Sequence, residues 1–149
     1  MTHQQHVEKA HQLATEWFAK HQATLVAQDQ NVTIIDWRRP DTGNYAMRFI
    51  ITGYYVIVTG DVGEAIYGIG QGLTPKQLLS FDWGYFTSKC CASETGRDYT
   101  MKVPGIKGPV PNVRAIGHYL GLQMALKQLD AQESTLPTIE QVQATIAGQ

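Results

Sequence analysis

Two neighbouring apolar segments, residues 45–52 and 54–59, separated only by Gly53, constrain this chain more than any other feature. Both are dense in aromatic and β-branched residues, and a glycine between two such runs is the composition and punctuation of an antiparallel pair. In the first, Met47, Phe49 and Ile51 share one face while Ala46, Arg48, Ile50 and Thr52 share the other, so one side is apolar and the second mixed. In the second, Tyr55, Ile57 and Thr59 alternate with Tyr54, Val56 and Val58, so either face suits burial and a central strand is expected. Residues 31–38 (NVTIIDWR) supply a strand before them, and residues 40–43 a turn with proline and glycine where a β-turn places them. The three strands make a meander, and residues 64–67 offer a short fourth.

Helical patterns flank the meander. Over residues 3–28, Val7, Ala10, Leu13, Ala14, Trp17, Phe18 and Leu25 recur at three- and four-residue spacings, and Thr2 with Gln5 forms a capping box. Thr74 and Pro75 start a short helix over 74–79, and Asp82 caps another over 83–93, with Phe86 and Cys90 four apart and facing the core. Asn112 caps a helix over 113–129 with Val113, Ile116, Leu120 and Met124 inward; Gly117 and Gly121, four apart, suggest another backbone packed close. A last helix is predicted over 138–146, with Ile139, Val142 and Ile146 on one side. The expectation is an α+β fold in a single domain, residues 1–149: a three- to four-stranded antiparallel meander covered by an N-terminal helix and C-terminal helices.

Charge narrows the function classes. With 12 basic and 13 acidic residues and a net charge of -1, the chain has neither the basic excess of a general nucleic-acid binder nor the acidic excess of a DNA mimic. Its two cysteines, Cys90 and Cys91, are adjacent and cannot form an ordinary bridge, which predicts a reduced, cytoplasmic setting. No signal pattern and no apolar run of membrane-spanning length is present, so no membrane association is expected.

Several residues invite a chemical reading. Residues 60–72 (GDVGEAIYGIGQG) hold five glycines, Gly70 and Gly72 among them, and lead into a helix start, where backbone amides suit a phosphate. The segment lacks the Walker lysine and serine and the spaced dinucleotide fingerprint, and a bulged strand-to-helix connection is the structural alternative. Residues 95–111 form a loop rich in proline and glycine that carries Arg97, Lys102 and Lys107. The helix after Asn112 turns unpaired amides and a positive dipole end toward that loop, with Arg114 in its first turn. A cation there is unfavourable by roughly 0.3–1 kcal/mol, so Arg114 asks for a bound anion, unless Asp98 or another carboxyl group supplies the charge. Trp37, Tyr67, Trp83, Tyr85 and Tyr99 either stack on a base or fill a small core. Asp61 and Glu64 either bind backbone amides or pair with Arg48. His3 and His6 have metal-pair spacing but no accompanying cysteine or carboxylate, so no metal site is expected. Cys90 is either a nucleophile, with only the distant His118 as partner, or a buried structural cysteine. No catalytic set emerges. The candidate ligand-binding residues are Lys102, Lys107, Arg114, Gly70, Gly72, Tyr67, Trp83 and Tyr99.

Residues 37–95 carry the patterns W-x-x-P-x-[TS]-x-x-Y-x-x-R-[YF], G-D-x-G-E-A-[VI]-[YF] and F-[DN]-x-x-Y-F-x-x-K, as WRRPDTGNYAMRF, GDVGEAIY and FDWGYFTSK. This stretch resembles a set of small phage and prophage proteins. The resemblance implies a viral accessory protein made in the cytoplasm of an infected bacterium, with oligomers common among such proteins, and it carries no catalytic residue. The expected function is action against host defence by a non-enzymatic binder that sequesters a small nucleotide signal, without a cofactor. Two alternatives stand beside it: an inhibitor that binds a host defence protein such as a CRISPR effector directly, and a small hydrolase using Asp61, Glu64 or Cys90.

Overall fold

The computed structural model describes residues 1–70 and 72–135. The first helix, α1 (His3–Trp17), begins where the capping box places it: Gln5 N donates to the Thr2 hydroxyl at 3.1 Å and Thr2 N to the Gln5 side chain at 2.8 Å. It stops at Trp17 instead of running to residue 28, because residues 22–28 form a strand, β1 (Gln22–Gln28). That strand hydrogen-bonds along β2 (Thr33–Arg38), satisfying backbone groups over a core that holds Ile35 and Trp37. Leu25, which keeps the helical spacing, is 45% exposed, and Ala23 is the only buried residue of β1. No apolar alternation therefore announces the strand.

β3 (Met47–Ile51), β4 (Tyr55–Gly60) and β5 (Ala65–Gly68) follow, each antiparallel to its predecessor, as the meander required. Met47, Phe49 and Ile51 are buried together, with Val56 and Val58 beside them. The sheet has six strands, more than the three or four expected, because β6 (Cys90–Ser93) pairs along the second edge of β5. The helix begun by Asp82, α3 (Trp83–Ser88), ends earlier than its spacing suggested. Gly68 N donates to Lys89 O at 2.9 Å, and Cys90 pairs with Tyr67 across a bulge. Phe86 is buried as expected, whereas Cys90 stands in a strand and not on the same helical face.

α2 (Pro75–Leu79) starts at Thr74 with a capping box to Gln77. α4 (Val113–Thr135) is capped by Asn112, whose side-chain oxygen accepts from Arg114 N at 2.9 Å, and it runs past residue 129. In the segment expected as a loop, β7 (Thr100–Met101) and β8 (Val110–Pro111) pair as a small ribbon. The predicted helix over 138–146 lies outside the described residues. Among those described, no helix is long and apolar enough to cross a membrane.

α1 and α4 pack together over the face of the sheet that carries Ile35, Trp37, Phe49 and Val58. Gly117 and Gly121 do mark a close approach, but of aromatic side chains and not of another backbone. A Cβ on Gly121 would stand 3.2 Å from the Phe18 ring and 3.3 Å from Trp37, and one on Gly117 would stand 3.1 Å from Trp17 and from Val62. Arg48 pairs with Asp36 on the neighbouring strand, at 2.6 and 3.0 Å, rather than with Asp61 or Glu64.

Backbone geometry sets one sharp requirement. Gly60 has φ +124°, and a Cβ there would lie 2.2 Å from the Ala46 carbonyl oxygen, while Gly43 has nothing within 4 Å. Gly60→Ala is expected to lower stability by about 1–3 kcal/mol, and Gly43→Ala to change it by no more than about 0.5 kcal/mol. Urea denaturation of the two variants checks this; equal midpoints would mean that the β4 end relaxes freely.

Candidate functional site

The polar residues gather where the β4–β5 connection meets the start of α4. His118 lies one and a half turns into α4 and is fully buried. Its Nε2 faces the carbonyls of Val62 at 2.9 Å and Gly63 at 3.1 Å, and its Nδ1 lies 2.9 Å from the Tyr67 hydroxyl. The arrangement fits a neutral ring that donates from Nε2 and accepts at Nδ1. Burial depresses its pKa to about 4, although the two carbonyls favour the charged form. Tyr67 is held well above its ordinary value by the same burial and stacks on Phe86 at 4.2 Å.

A second cluster adjoins the first. Glu94, just past β6, accepts from the Tyr99 hydroxyl and from Arg114 Nη1 at 2.7 Å. Those hydrogen bonds, from Tyr99 first and then Arg114, hold the Glu94 carboxyl below its usual range. Tyr99 is pushed up to about 12, by burial first and then by Glu94. Gly63, at φ +91°, lies against all three: a Cβ there would meet the Tyr99 hydroxyl, the Glu94 carboxylate and the Arg114 side chain. The first-turn cation thus finds its carboxylate within the fold, and that carboxylate is Glu94 and not Asp98.

The sequence-derived candidates divide accordingly. Tyr99 and Arg114 meet on Glu94, and Tyr67 joins them through His118. Tyr67 and Tyr99 are buried, so neither offers a face to a base. Trp83 is half-buried, 6.1 Å from the His3 ring and packed against the small cluster of Val7, Ala10 and Ile116. Gly70 and Gly72, at φ +148° and +73°, are exposed with open space around them, and they leave the opposite end of β5 from Gly63. Lys102 and Lys107 are exposed on the β7–β8 connection. His6 bonds Pro111 O at 2.9 Å, and His118 serves Tyr67 rather than Cys90. Burial pushes the Cys90 thiol up, away from the thiolate that nucleophilic attack requires.

Comparisons with protein-family models, with curated proteins and with solved structures give no match to this chain, so its functional reading rests on its own geometry.

One feature has no counterpart among the sequence-derived candidates. A cavity of about 1250 Å³ opens between β1, β2, α2 and the last turns of α4. Its apolar wall is built from Leu25, Leu79 and Leu129, with the buried Ile35 and Leu126 behind them, while Lys76, Asp130 and Glu133 lie at its charged margin. Leu25 keeps helical spacing in the sequence, and nothing local links it to Leu79 or Leu129.

His118 couples the site to stability. Unfolded, it takes up a proton near pH 6.5, and folded only near pH 4. Below pH 6.5 the unfolded chain binds the extra proton, so stability present at neutral pH falls as pH drops toward 4, by roughly 3 kcal/mol in all. His11 and His21, both lowered first by burial, act in the same direction. Urea denaturation between about pH 7 and about pH 4.5 is expected to show this loss. His118→Gln, which keeps a donor for the Val62 carbonyl, should flatten most of it; equal slopes in both proteins would show that His118 charges without cost.

Proposed function

We propose that this chain is a non-enzymatic binding protein whose ligand is an apolar segment of another protein, held in the cavity between β1, β2, α2 and α4. The contrast between that cavity and the polar cluster carries the reading. Glu94, Tyr99, Arg114, His118 and Tyr67 satisfy one another or the backbone, whereas the cavity presents aliphatic walls to an outside partner. At about 1250 Å³ it exceeds the range of roughly 300–1,000 Å³ usual for small-molecule sites. Together with the resemblance to phage accessory proteins, this supports an inhibitor that docks directly on a host defence protein in the bacterial cytoplasm.

Sequestration of a nucleotide is the second reading. It rests on Lys102 and Lys107, exposed and without an ion-pair partner among the described residues, beside Gly105 and Gly108 in left-handed backbone. It draws less on Arg114, whose guanidinium is already engaged by Glu94.

A photoreactive residue at Gln28, on the cavity wall, distinguishes the two in the full chain expressed in a bacterium. The expected result is a discrete protein crosslink that Leu25→Glu weakens about tenfold and that Lys107→Ala leaves unchanged. Leu25 is 45% exposed, so the substitution leaves the fold intact. Release of a nucleotide on heating, lost in a Lys102→Ala/Lys107→Ala variant and retained in Leu25→Glu, would overturn the first reading and support the second.

A further inference from the structure

We propose that the sheet face turned away from α1 and α4 is a self-association surface, on which a second copy of this chain packs about a two-fold axis parallel to the strands and midway between β3 and β4. The ladder register arranges that face in rows. One row runs Ala27, Ile34, Ile50, Ile57, Ile66, Ala92 across all six strands. The four isoleucines stand outside the hydrophobic core, and each retains part of its surface. The next row runs Thr24, Asp36, Arg48, Thr59, continuing to Glu64 and Glu94. An antiparallel sheet with one face on its core ordinarily turns polar residues outward, so an unbroken row of β-branched aliphatic side chains marks a covered surface.

Symmetry identifies the occupant. The apolar row reads alike from either end: alanine, four isoleucines, alanine. Rotation about the stated axis lays Ile50 on Ile57 of the second copy and Ile34 on its Ile66, so every isoleucine meets an isoleucine, as a self-complementary two-fold contact requires. The same rotation brings Ile34 to a depression of about 310 Å³ lined by Ile57, Ile66 and Ala92 with Glu64 and Glu94 at its rim. Glu64 has no ion-pair partner among the described residues, and Arg48 of the second copy lands over Thr59, its neighbour in the row. The same rotation lays Asp36 of the second copy over Glu64, and the guanidinium beside both carboxylates offsets their repulsion.

Area sets the strength. Strands about 4.8 Å apart and about five residues long at about 3.4 Å each cover roughly 25 by 17 Å, so two copies bury on the order of 900 Å² in total, the low end of specific association. The dimer is therefore reversible and concentration-dependent. The isoleucine row shares no residue with the lining of the cavity between α2 and α4, so this inference does not depend on the binding role.

Sedimentation of the full chain over a concentration series tests it. The wild type is expected to pass from monomer to dimer with rising concentration, while Ile50→Lys and Ile57→Glu, each verified as folded by circular dichroism, lose dimerisation. Mixing the two variants is expected to restore a heterodimer, because the axis sets position 50 against position 57. A wild type that stays monomeric at every concentration overturns the proposal without recourse to any variant. A dimer that persists in Ile50→Lys places the contact elsewhere, and failure of the mixture to associate overturns the two-fold pairing.

Discussion

His118, fully buried, joins α4 to the sheet by hydrogen bonds, and much of the remaining architecture is arranged to let it do so. Its ring reaches the Val62 and Gly63 carbonyls and the Tyr67 hydroxyl only because α4 lies close to the sheet. That approach depends on Gly117 and Gly121, where any side chain would press on Trp17, Val62, Phe18 or Trp37. Leaving a buried carbonyl or hydroxyl without its partner costs about 1–3 kcal/mol, so the three contacts define a single depth and rotation for the helix. Phe18 and Trp37 then pack edge to face at 6.0 Å beneath it, with His21 and its bond to Tyr45 O closing that end of the core.

The same economy of polar groups shapes the functional reading. A first-turn arginine, a buried tyrosine and a histidine near glycines resemble the ingredients of an anion or catalytic site when read separately. In the fold, each meets a neighbour: Arg114 and Tyr99 meet Glu94, and His118 meets Tyr67 and the backbone. Glu94 is available because β6 pairs with β5 and ends beside α4, an arrangement that local sequence does not reveal. The cavity adds aliphatic side chains of Leu25, Leu79 and Leu129, and aliphatic surface recognises shape and apolar area more than charge.

The sheet separates two environments. On one face, helices cover a dense aromatic and aliphatic core. On the other, an isoleucine row runs beside a polar row whose Asp36–Arg48 pair is held in bidentate geometry. The cavity lies between β1, β2, α2 and α4, where Leu25 stays 45% exposed. A protein with both features can engage a partner at the edge while its outer face meets another surface.

Local composition determined much of this by itself. Residues 31–38, 45–52 and 54–59 announced three strands through β-branched and aromatic density, and Thr2, Thr74, Asp82 and Asn112 announced helix starts, because caps and strand propensities act over a few residues. The alternation of Met47, Phe49 and Ile51 with Arg48 and Ile50 likewise told which side of β3 is buried. Only the tertiary structure decided that residues 22–28 and 90–93 are strands. Their own patterns are helical or ambiguous, and the hydrogen bonds that make them strands are owed to β2 and β5. Tertiary structure also decided which carboxylate meets Arg114, which residues fill the gap left by Gly117 and Gly121, and that Leu25, Leu79 and Leu129 share one cavity wall. Each of these is a contact between residues far apart in the chain, and such contacts follow from how whole elements pack, which no short window of sequence encodes.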